Sequence, residues 1–195
     1  TATVSDGEFT SSQTFTVTVT PVNDAPILAA VPGVSFDEDQ SGSTTLSGSD
    51  VDGDDLTYSI SGGTEITATL DGTTVSFTAA ADFNGSESFT ATVSDGEFSS
   101  SQTFTVTVNA VNDAPTLAAV PGVSFAEDGS SAISLSASDV DGDDLTYSIS
   151  GGSEITATLD GVNITFTASQ DFNGSEDFTA TVSDGEFTSS QTFTV

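Results

Sequence analysis

The sequence contains no lysine, arginine, histidine, cysteine, methionine or tryptophan. Its aspartate and glutamate residues, 30 in number, therefore give a formal net charge of −30 at pH 7, and none of them can pair with a basic side chain. Phosphate recognition depends on lysine and arginine, so nucleic acid is excluded as a partner. An anionic membrane surface is disfavoured for the same reason. The negative charge has to be held by water or by bound metal cations.

Two further absences bear on the class of protein. Without cysteine there are no disulfides, which fits a bacterial surface or exported protein in which metal replaces the disulfide as a staple. No apolar run approaches the roughly 20 residues of a membrane span, so we expect no membrane insertion in this segment. Apolar residues still make up 35% of the chain and recur at regular positions, which argues against disorder.

The chain repeats itself with a period of 89 residues. Three sequence stretches return at this spacing: DVDGDDLTYSISGG at 50–63 and 139–152, VNDAP at 22–26 and 111–115, and TVSDGEF at 3–9, 92–98 and 181–187. One fixed period indicates one repeated structural unit. A parallel β-helix, the rival repeat architecture, would need a much shorter period.

Alternating apolar residues predict seven short strands in the first complete repeat. The residues that define these strands are Val34 and Phe36; Leu46; Leu56, Tyr58 and Ile60; Ile66, Ala68 and Leu70; Val75 and Phe77; Phe89, Ala91 and Val93; and Phe104, Val106 and Val108. Asp71-Gly72 is a type I′ hairpin signal, and Asn84-Gly85 predicts a second turn. Seven strands in about 90 residues predict an all-β fold of tandem immunoglobulin-like β-sandwiches in a linear array.

The period also sets the predicted domain boundaries. Residues 1–20 match the C-terminal hairpin of a preceding repeat, complete repeats occupy 24–109 and 113–195, and the linkers are 21–26 and 110–115. A lone hairpin is marginal in water, so we expect residues 1–20 to be covered. We favour cover by the rest of a repeat in a longer array, and the alternative is a neighbouring subunit that donates the missing strands.

Acidic residues cluster at fixed places in the repeat. The cluster comprises Glu38, Asp39, Asp50, Asp52, Asp54, Asp55, Asp82, Asp95 and Asp113. Calcium takes six to eight oxygen ligands, which loops at the end of a sandwich and a linker can supply together. An EF-hand loop starting at Asp50 is excluded, because Asp55 stands where glycine is required and Ser61 where glutamate is required. The remaining glutamates, Glu8, Glu65, Glu87 and Glu97 with their repeats, are expected on solvated faces.

These motifs in combination resemble the cadherin family and its bacterial relatives, the cadherin-like repeats of giant surface adhesins. VNDAP is similar to the inter-domain linker of that family, and DVDGDD is similar to its Asp-x-Asp motif. Glu38 and Glu127 lie where its first-loop glutamate would be, and Asp95 resembles its late aspartate. The Asp-Arg-Glu motif is replaced by Asp82-Phe83-Asn84. Because this leaves fewer carboxylates, we expect one or two ions per junction rather than three.

The resemblance implies cadherin-like β-sandwiches with Ca2+ as the bound cation, in two sets of ligands. The set at the junction between the two complete repeats is Glu38, Asp82, Asn112, Asp113, Asp139, Asp141 and Asp184. The set at the preceding junction is Asn23, Asp24, Asp50, Asp52 and Asp95.

The expected function is that of an extracellular structural spacer in a large repetitive adhesin or surface filament, with calcium stiffening the junctions. The alternative is a carbohydrate-binding or protein-binding module of a surface protein. The expected partners are neighbouring repeats of the same protein, with identical chains in a filament as a second expectation. We expect no enzyme, since serine has no histidine or lysine base and nucleophilic cysteine is absent. Paired carboxylates can cleave glycosides, but these acids recur in each repeat, which suits a structural cation better.

Overall fold

The computed structural model describes residues 1–195 and divides into a first unit, Thr1–Val108, and a second unit, Asn109–Val195. Both units consist of β-strands and loops. The structure has no helix long and apolar enough to cross a bilayer.

The first unit contains eleven strands. They are β1 (Ala2–Ser5), β2 (Thr10–Gln13), β3 (Ile27–Leu28), β4 (Val34–Asp37), β5 (Ser41–Thr45), β6 (Gly48–Ser49), β7 (Thr57–Gly62), β8 (Ile66–Asp71), β9 (Thr74–Ala79), β10 (Gly85–Ser94) and β11 (Ser99–Asn109). One sheet has the order β4-β11-β10-β7 and a second has the order β5-β9-β8. The two-residue strands β3 and β6 pair with each other and were not predicted from the sequence.

Each predicted apolar stripe of the first unit faces one core. Phe89, Ala91 and Val93 on β10 are fully buried, and the residues between them are not. Phe77 of the second sheet lies edge-on to Phe89 of the first, with ring centroids 5.1 Å apart. The two sheets therefore pack face to face through aromatic side chains, and the predicted all-β, immunoglobulin-like fold class is confirmed.

The second unit repeats this plan. Its strands are β12 (Thr116–Leu117), β13 (Ser130–Ser134), β14 (Ala137–Ser138), β15 (Thr146–Gly151), β16 (Ile155–Asp160), β17 (Asn163–Ala168), β18 (Asp177–Ser183) and β19 (Thr188–Thr194). The sheets have the orders β15-β18-β19, β13-β17-β16 and β12-β14. Phe166 and Phe178 repeat the edge-on contact, at 5.3 Å. No strand in this unit corresponds to β4, since residues 121–126 are irregular.

The N-terminal hairpin is shorter than the sequence predicts. Strands β1 and β2 pair antiparallel from Ala2↔Gln13 to Ser5↔Thr10, but residues 14–20 form no strand. Phe15, Val17 and Val19 were expected on a strand and are instead highly exposed. They have no neighbouring sheet to pair with, so alternation alone does not make them a strand.

The turns differ in detail from the sequence prediction. In the β8–β9 hairpin φ is positive at Gly72, at 60°, but not at Thr73. This is the pattern of a type II′ turn rather than the predicted type I′. The second turn lies at residues 80–83, where Phe83 donates its N–H to the Ala80 carbonyl at 3.2 Å, and not at Asn84-Gly85.

Candidate metal sites

The loop after β6 in the first unit is organised around the carboxylate of Asp50. Its Oδ1 atom accepts the backbone N–H groups of Asp52, Gly53 and Asp54 at 2.9, 3.1 and 3.4 Å. This Asx-type turn folds the loop back, because a short carboxylate can substitute for a backbone acceptor. As a result, carboxylate oxygens of Asp50, Asp52 and Asp54 come within 4.8 Å of one another.

The linker that precedes β3 is tied to this loop and to the β10–β11 turn. Asp24 donates its backbone N–H to Oδ2 of Asp52 at 2.8 Å. Asn23 donates its side-chain Nδ2 to Oδ2 of Asp95 at 3.1 Å. The five predicted residues of the first set, Asn23, Asp24, Asp50, Asp52 and Asp95, therefore lie together at one end of the first sandwich.

Asp95 also organises the turn in which it lies. Its Oδ1 atom accepts the N–H groups of Phe98 and Glu97, at 2.6 and 2.7 Å. The bond from Phe98 is the largest influence on this group, and together with those from Glu97 and Asn23 it outweighs burial and lowers the pKa of the Asp95 carboxyl. In the N-terminal hairpin, Oδ1 of Asp6 accepts the two equivalent turn bonds, from Glu8 and Phe9. The Oδ1 atom of this aspartate therefore stabilises the hairpin turn, whether or not the residue is a metal ligand.

The second unit reproduces the arrangement. Oδ1 of Asp139 accepts the backbone N–H groups of Asp141, Gly142 and Asp143, at 3.0, 3.2 and 3.4 Å. Asp113 donates its backbone N–H to Asp141 at 2.8 Å, and Asn112 donates to Asp184 at 3.1 Å. Burial is the largest single influence on the Asp184 carboxyl and raises its pKa. Hydrogen bonds from Phe187, Glu186 and Asn112 together outweigh burial, so the pKa of Asp184 is lowered.

One carboxylate oxygen in each loop has no hydrogen-bond partner. Oδ2 of Asp50 and Oδ2 of Asp139 are both buried from solvent and accept no hydrogen bond. An ionised oxygen without a donor is costly to bury, and buried polar groups are normally paired. Because the chain has no basic side chain, a cation is the partner that best matches this oxygen chemistry.

The two other predicted ligands of the first unit lie at the opposite end of β10. Glu38 follows β4 and is only 4% exposed. Asp82 precedes β10, and its carboxylate lies within 4.8 Å of that of Asp39. Asp39 and Asp82 adopt left-handed backbone conformations, with φ of 60° and 56°. Their equivalents Asp128 and Asp171 do the same, at 62° and 58°.

The structure adds Asp54 and Asp39 to the residues chosen from the sequence. Both belonged to the acidic cluster, but neither was included in a ligand set. Asp54 continues the every-second-residue spacing of Asp50 and Asp52, which would have been a sufficient signal. Asp39 had no such signal, because its approach to Asp82 joins loops that are distant in sequence.

Glu87 was expected on a solvated face, and the structure gives it a hydrogen-bonding role there that was not predicted from the sequence. The Glu87 carboxylate accepts the backbone N–H groups of Thr64 and Ile66, at 3.0 and 2.9 Å, and the Thr64 hydroxyl. The hydroxyl bond is the largest influence, followed by the backbone bonds, and together they lower the pKa of Glu87 to about 2. Glu176 has the same role with Ser153 and Ile155, and its pKa is also about 2. Glu87 fixes the loop before β8, and Glu176 fixes the loop before β16. We call each glutamate, together with the loop groups that donate to it, a glutamate clamp.

The family comparison matches both repeats. A family model described as Bacterial Ig domain matches residues 23–109 and again residues 112–195. The chain belongs to the bacterial Ig domain family. No relative among the curated proteins matches this bacterial Ig domain chain.

Solved structures with a similar fold come from diverse proteins. Human Protocadherin-24 EC1-2 is similar in two crystal forms, with TM-scores of 0.50 and 0.53 and sequence identities of 20% and 22%. These matches cover 89% and 87% of this chain, and 95% and 94% of the protocadherin chains. An endo-fucoidan hydrolase from glycoside hydrolase family 107 matches at 22% identity and a TM-score of 0.41, and the match covers 91% of this chain but 29% of the hydrolase. The protocadherin likeness concerns the fold alone.

Proposed function

We propose that this chain is a non-catalytic structural spacer of an extracellular surface protein, and that calcium at the Asp50 and Asp139 loops stabilises its bacterial Ig modules. The observation that carries the proposal is the buried, unpaired Oδ2 atom of each of these two aspartates. A divalent cation would satisfy that oxygen and relieve the repulsion among the neighbouring carboxylates.

The donor chemistry supports calcium over other cations. All candidate ligands are oxygens of carboxylates, amides or backbone carbonyls, and histidine and cysteine are absent. Such sets suit the hard cations calcium, magnesium and manganese, whereas zinc and copper sites commonly use nitrogen or sulfur. Calcium tolerates irregular loops better than magnesium, which demands near-ideal octahedral geometry.

In the proposed second site, the second module supplies the ligands Asp139, Asp141, Asp184, Asn112 and Asp113. The resemblance to the cadherin family implies that Glu38 and Asp82 of the preceding module contribute to the same site. Shared coordination of this kind is the means by which calcium would stiffen a tandem array. In the proposed first site the ligands are Asn23, Asp24, Asp50, Asp52 and Asp95, with Asp54 added from its proximity to Asp50.

The proposal includes an extracellular location at a cell surface, as in a bacterial adhesin, and the same chemistry supports it. Extracellular calcium modules commonly have dissociation constants of about 10⁻⁴ to 10⁻³ M, which calcium inside cells would not saturate. The partners in this proposal are neighbouring modules of the same kind. Two sequence-similar modules with the same loops suit a repeated spacer better than a single ligand-binding site.

Calorimetric titration of the full chain with calcium tests the proposal. We expect saturable binding that Asp139→Asn reduces by one site, because the substitution removes the charge of the unpaired carboxylate. Asp160→Asn is the matched control, since it removes one charge from an exposed hairpin turn of the same module and should leave the stoichiometry unchanged. Equal titrations of all three proteins, or binding that magnesium reproduces at equal concentration, would refute a specific calcium site.

A further inference from the structure

One glutamine in each module interrupts the apolar face of its strand. In the first module Gln102 lies on the same face of β11 as Phe104, Val106 and Val108, which are buried in the core. Gln102 is itself partly buried, and Ala91, its partner on β10, is fully buried. A polar side chain that faces the core loses its hydration and needs hydrogen-bond partners within the fold.

The side-chain amide of Gln102 bonds to the backbone of the segment that joins β3 to β4. Its Nε2 atom donates to the carbonyl of Leu28 at 2.7 Å, and its Oε1 atom accepts the N–H of Val31 at 3.3 Å. Leu28 ends β3, which pairs with β6, and residues 29–33 form no strand before the chain joins the sheet of β11. The amide therefore supplies partners to backbone groups at the point where the chain changes sheets.

The second module has the same two hydrogen bonds. Gln191 donates to the carbonyl of Leu117 at 2.8 Å and accepts the N–H of Val120 at 3.1 Å. Its partner on β18, Ala180, is fully buried, as Ala91 is in the first module. We call each glutamine with its two backbone bonds a glutamine tie.

The tie joins two segments of the first module that run in the same direction. The segment from β3 to β4 starts beside the Asp50 loop and ends at the Asp82 end of the sandwich. Strand β11 starts after the Asp95 turn, which binds the linker, and ends with Val108 opposite Gly85 at the start of β10. In addition, β4 and β11 are hydrogen-bonded neighbours in one sheet.

This arrangement determines how the module responds to tension. A pull on the linker before β3 and on the chain after β11 draws the two segments along their strands in opposite directions, which loads the bonds between them in shear. Bonds in shear share the force and have to break together. The pairing of β3 with β6 spans only two residue pairs. The tie and the β4–β11 pairing are therefore the direct connection between the two loaded segments.

We propose that the modules carry tension, and that Gln102 and Gln191 transmit it between the segment that follows the linker and the strand that leaves the sandwich. The proposal rests on the spacer function, in which tandem modules are pulled through their linkers. It does not depend on calcium, because all donors and acceptors of the tie are amide groups.

Single-molecule force spectroscopy of the full chain tests this proposal. Handles attached at Thr20→Cys and Ala110→Cys, two exposed positions in a chain without native cysteine, load the first module alone. Gln102→Leu removes both bonds of the tie and keeps a side chain of similar size. We expect its unfolding rate at fixed force to rise about tenfold or more, because two hydrogen bonds in the path of the force are lost.

Two control variants separate the tie from general stability. Gln40→Leu makes the same substitution in the exposed turn between β4 and β5 and should leave the unfolding rate unchanged. Phe77→Ala weakens the core from β9, outside the two loaded segments. In urea without force Phe77→Ala should unfold faster than Gln102→Leu, and under force the order should reverse.

Gln102→Glu provides a second test of the tie, which also applies if Gln102→Leu does not fold. Its carboxylate can accept the N–H of Val31 but cannot donate to Leu28, so we expect an unfolding rate under force between those of the wild type and Gln102→Leu. The effects are expected in calcium and in EDTA alike, so failure of the calcium proposal would leave them in place. A wild-type rate under force for Gln102→Leu or Gln102→Glu, or the same order of variants with and without force, would overturn the proposal.

Discussion

At the scale of single residues, the glutamate clamp makes a clear pH prediction. The folded-state pKa of Glu87 and of Glu176 is about 2, below the ordinary value of 4.5. The clamp therefore contributes its full stability above pH 4.5 and loses it as the pH falls toward 2. We expect the melting temperature to fall over this window. Thermal melts of the wild type and of Glu87→Gln with Glu176→Gln would measure it.

The clamp variant should be less stable at neutral pH and should lose less stability between pH 4.5 and 2 than the wild type. The double variant Glu97→Gln with Glu186→Gln is the matched control, because it also removes two negative charges, but from exposed hairpin turns outside the clamp. If control and clamp variants show the same pH profile, net charge rather than the clamp governs the acid response.

Residue chemistry was only partly predictable from the sequence. The cluster of Asp50, Asp52 and Asp95 could be anticipated because the spacing of Asp50 and Asp52 and the TVSDGEF turn are local signals. The clamp could not, since Glu87 lies more than 20 residues from Thr64 and meets it only through the fold. The only sequence signal of the clamp is that Glu87 recurs as Glu176. This signal is not specific, because most residues of one repeat recur in the next.

At the scale of strands and sheets, the packed phenylalanines join the two layers of each sandwich. Phe77 is fully buried and contacts Phe89 and Phe104, with centroids 5.1 and 6.0 Å away. We expect Phe77→Ala to lower the free energy of unfolding of the first module by about 3–5 kcal/mol, from lost burial and a cavity. Urea unfolding followed by tyrosine fluorescence, from Tyr58 and Tyr147, would measure it.

Phe98→Ala is the control for this substitution, since Phe98 is 44% exposed in a hairpin turn. Its cost should stay within about 0.5 kcal/mol, as for surface changes in general. A similar loss for both variants would mean that the aromatic contact between the sheets is not the main source of module stability.

The strands themselves were largely predictable, because alternation of apolar residues identifies which face is buried. Phe89, Ala91 and Val93 are the clearest case. Two things were not predictable: the short β3–β6 pair, whose two-residue strands are below the length at which alternation can be recognised, and the lack of a strand at 14–20. Apolar and polar residues alternate in that segment as regularly as they do in β11, but only β11 lies in a sheet.

At the scale of the whole molecule, the spacer proposal predicts a change in flexibility. We expect saturating calcium to narrow the distribution of inter-module distances, and Asp113→Ala to prevent the narrowing while leaving each module folded. Small-angle scattering in calcium and in EDTA measures this, with Asp160→Ala as the control for loss of one charge. Narrowing that is unaffected by Asp113→Ala would count against the linker as a ligand.

Calorimetric melting of the full chain in calcium, in magnesium and in EDTA tests the central claim most directly. With a dissociation constant of about 10⁻⁴ M, calcium at about 10 mM is 100-fold in excess and adds about 2.7 kcal/mol per site. For modules of about 90 residues this corresponds to a rise in melting temperature of about 10–20 °C. We predict that rise in calcium and a much smaller one in magnesium. Equal melting temperatures in calcium and in EDTA would contradict the calcium-stabilised spacer.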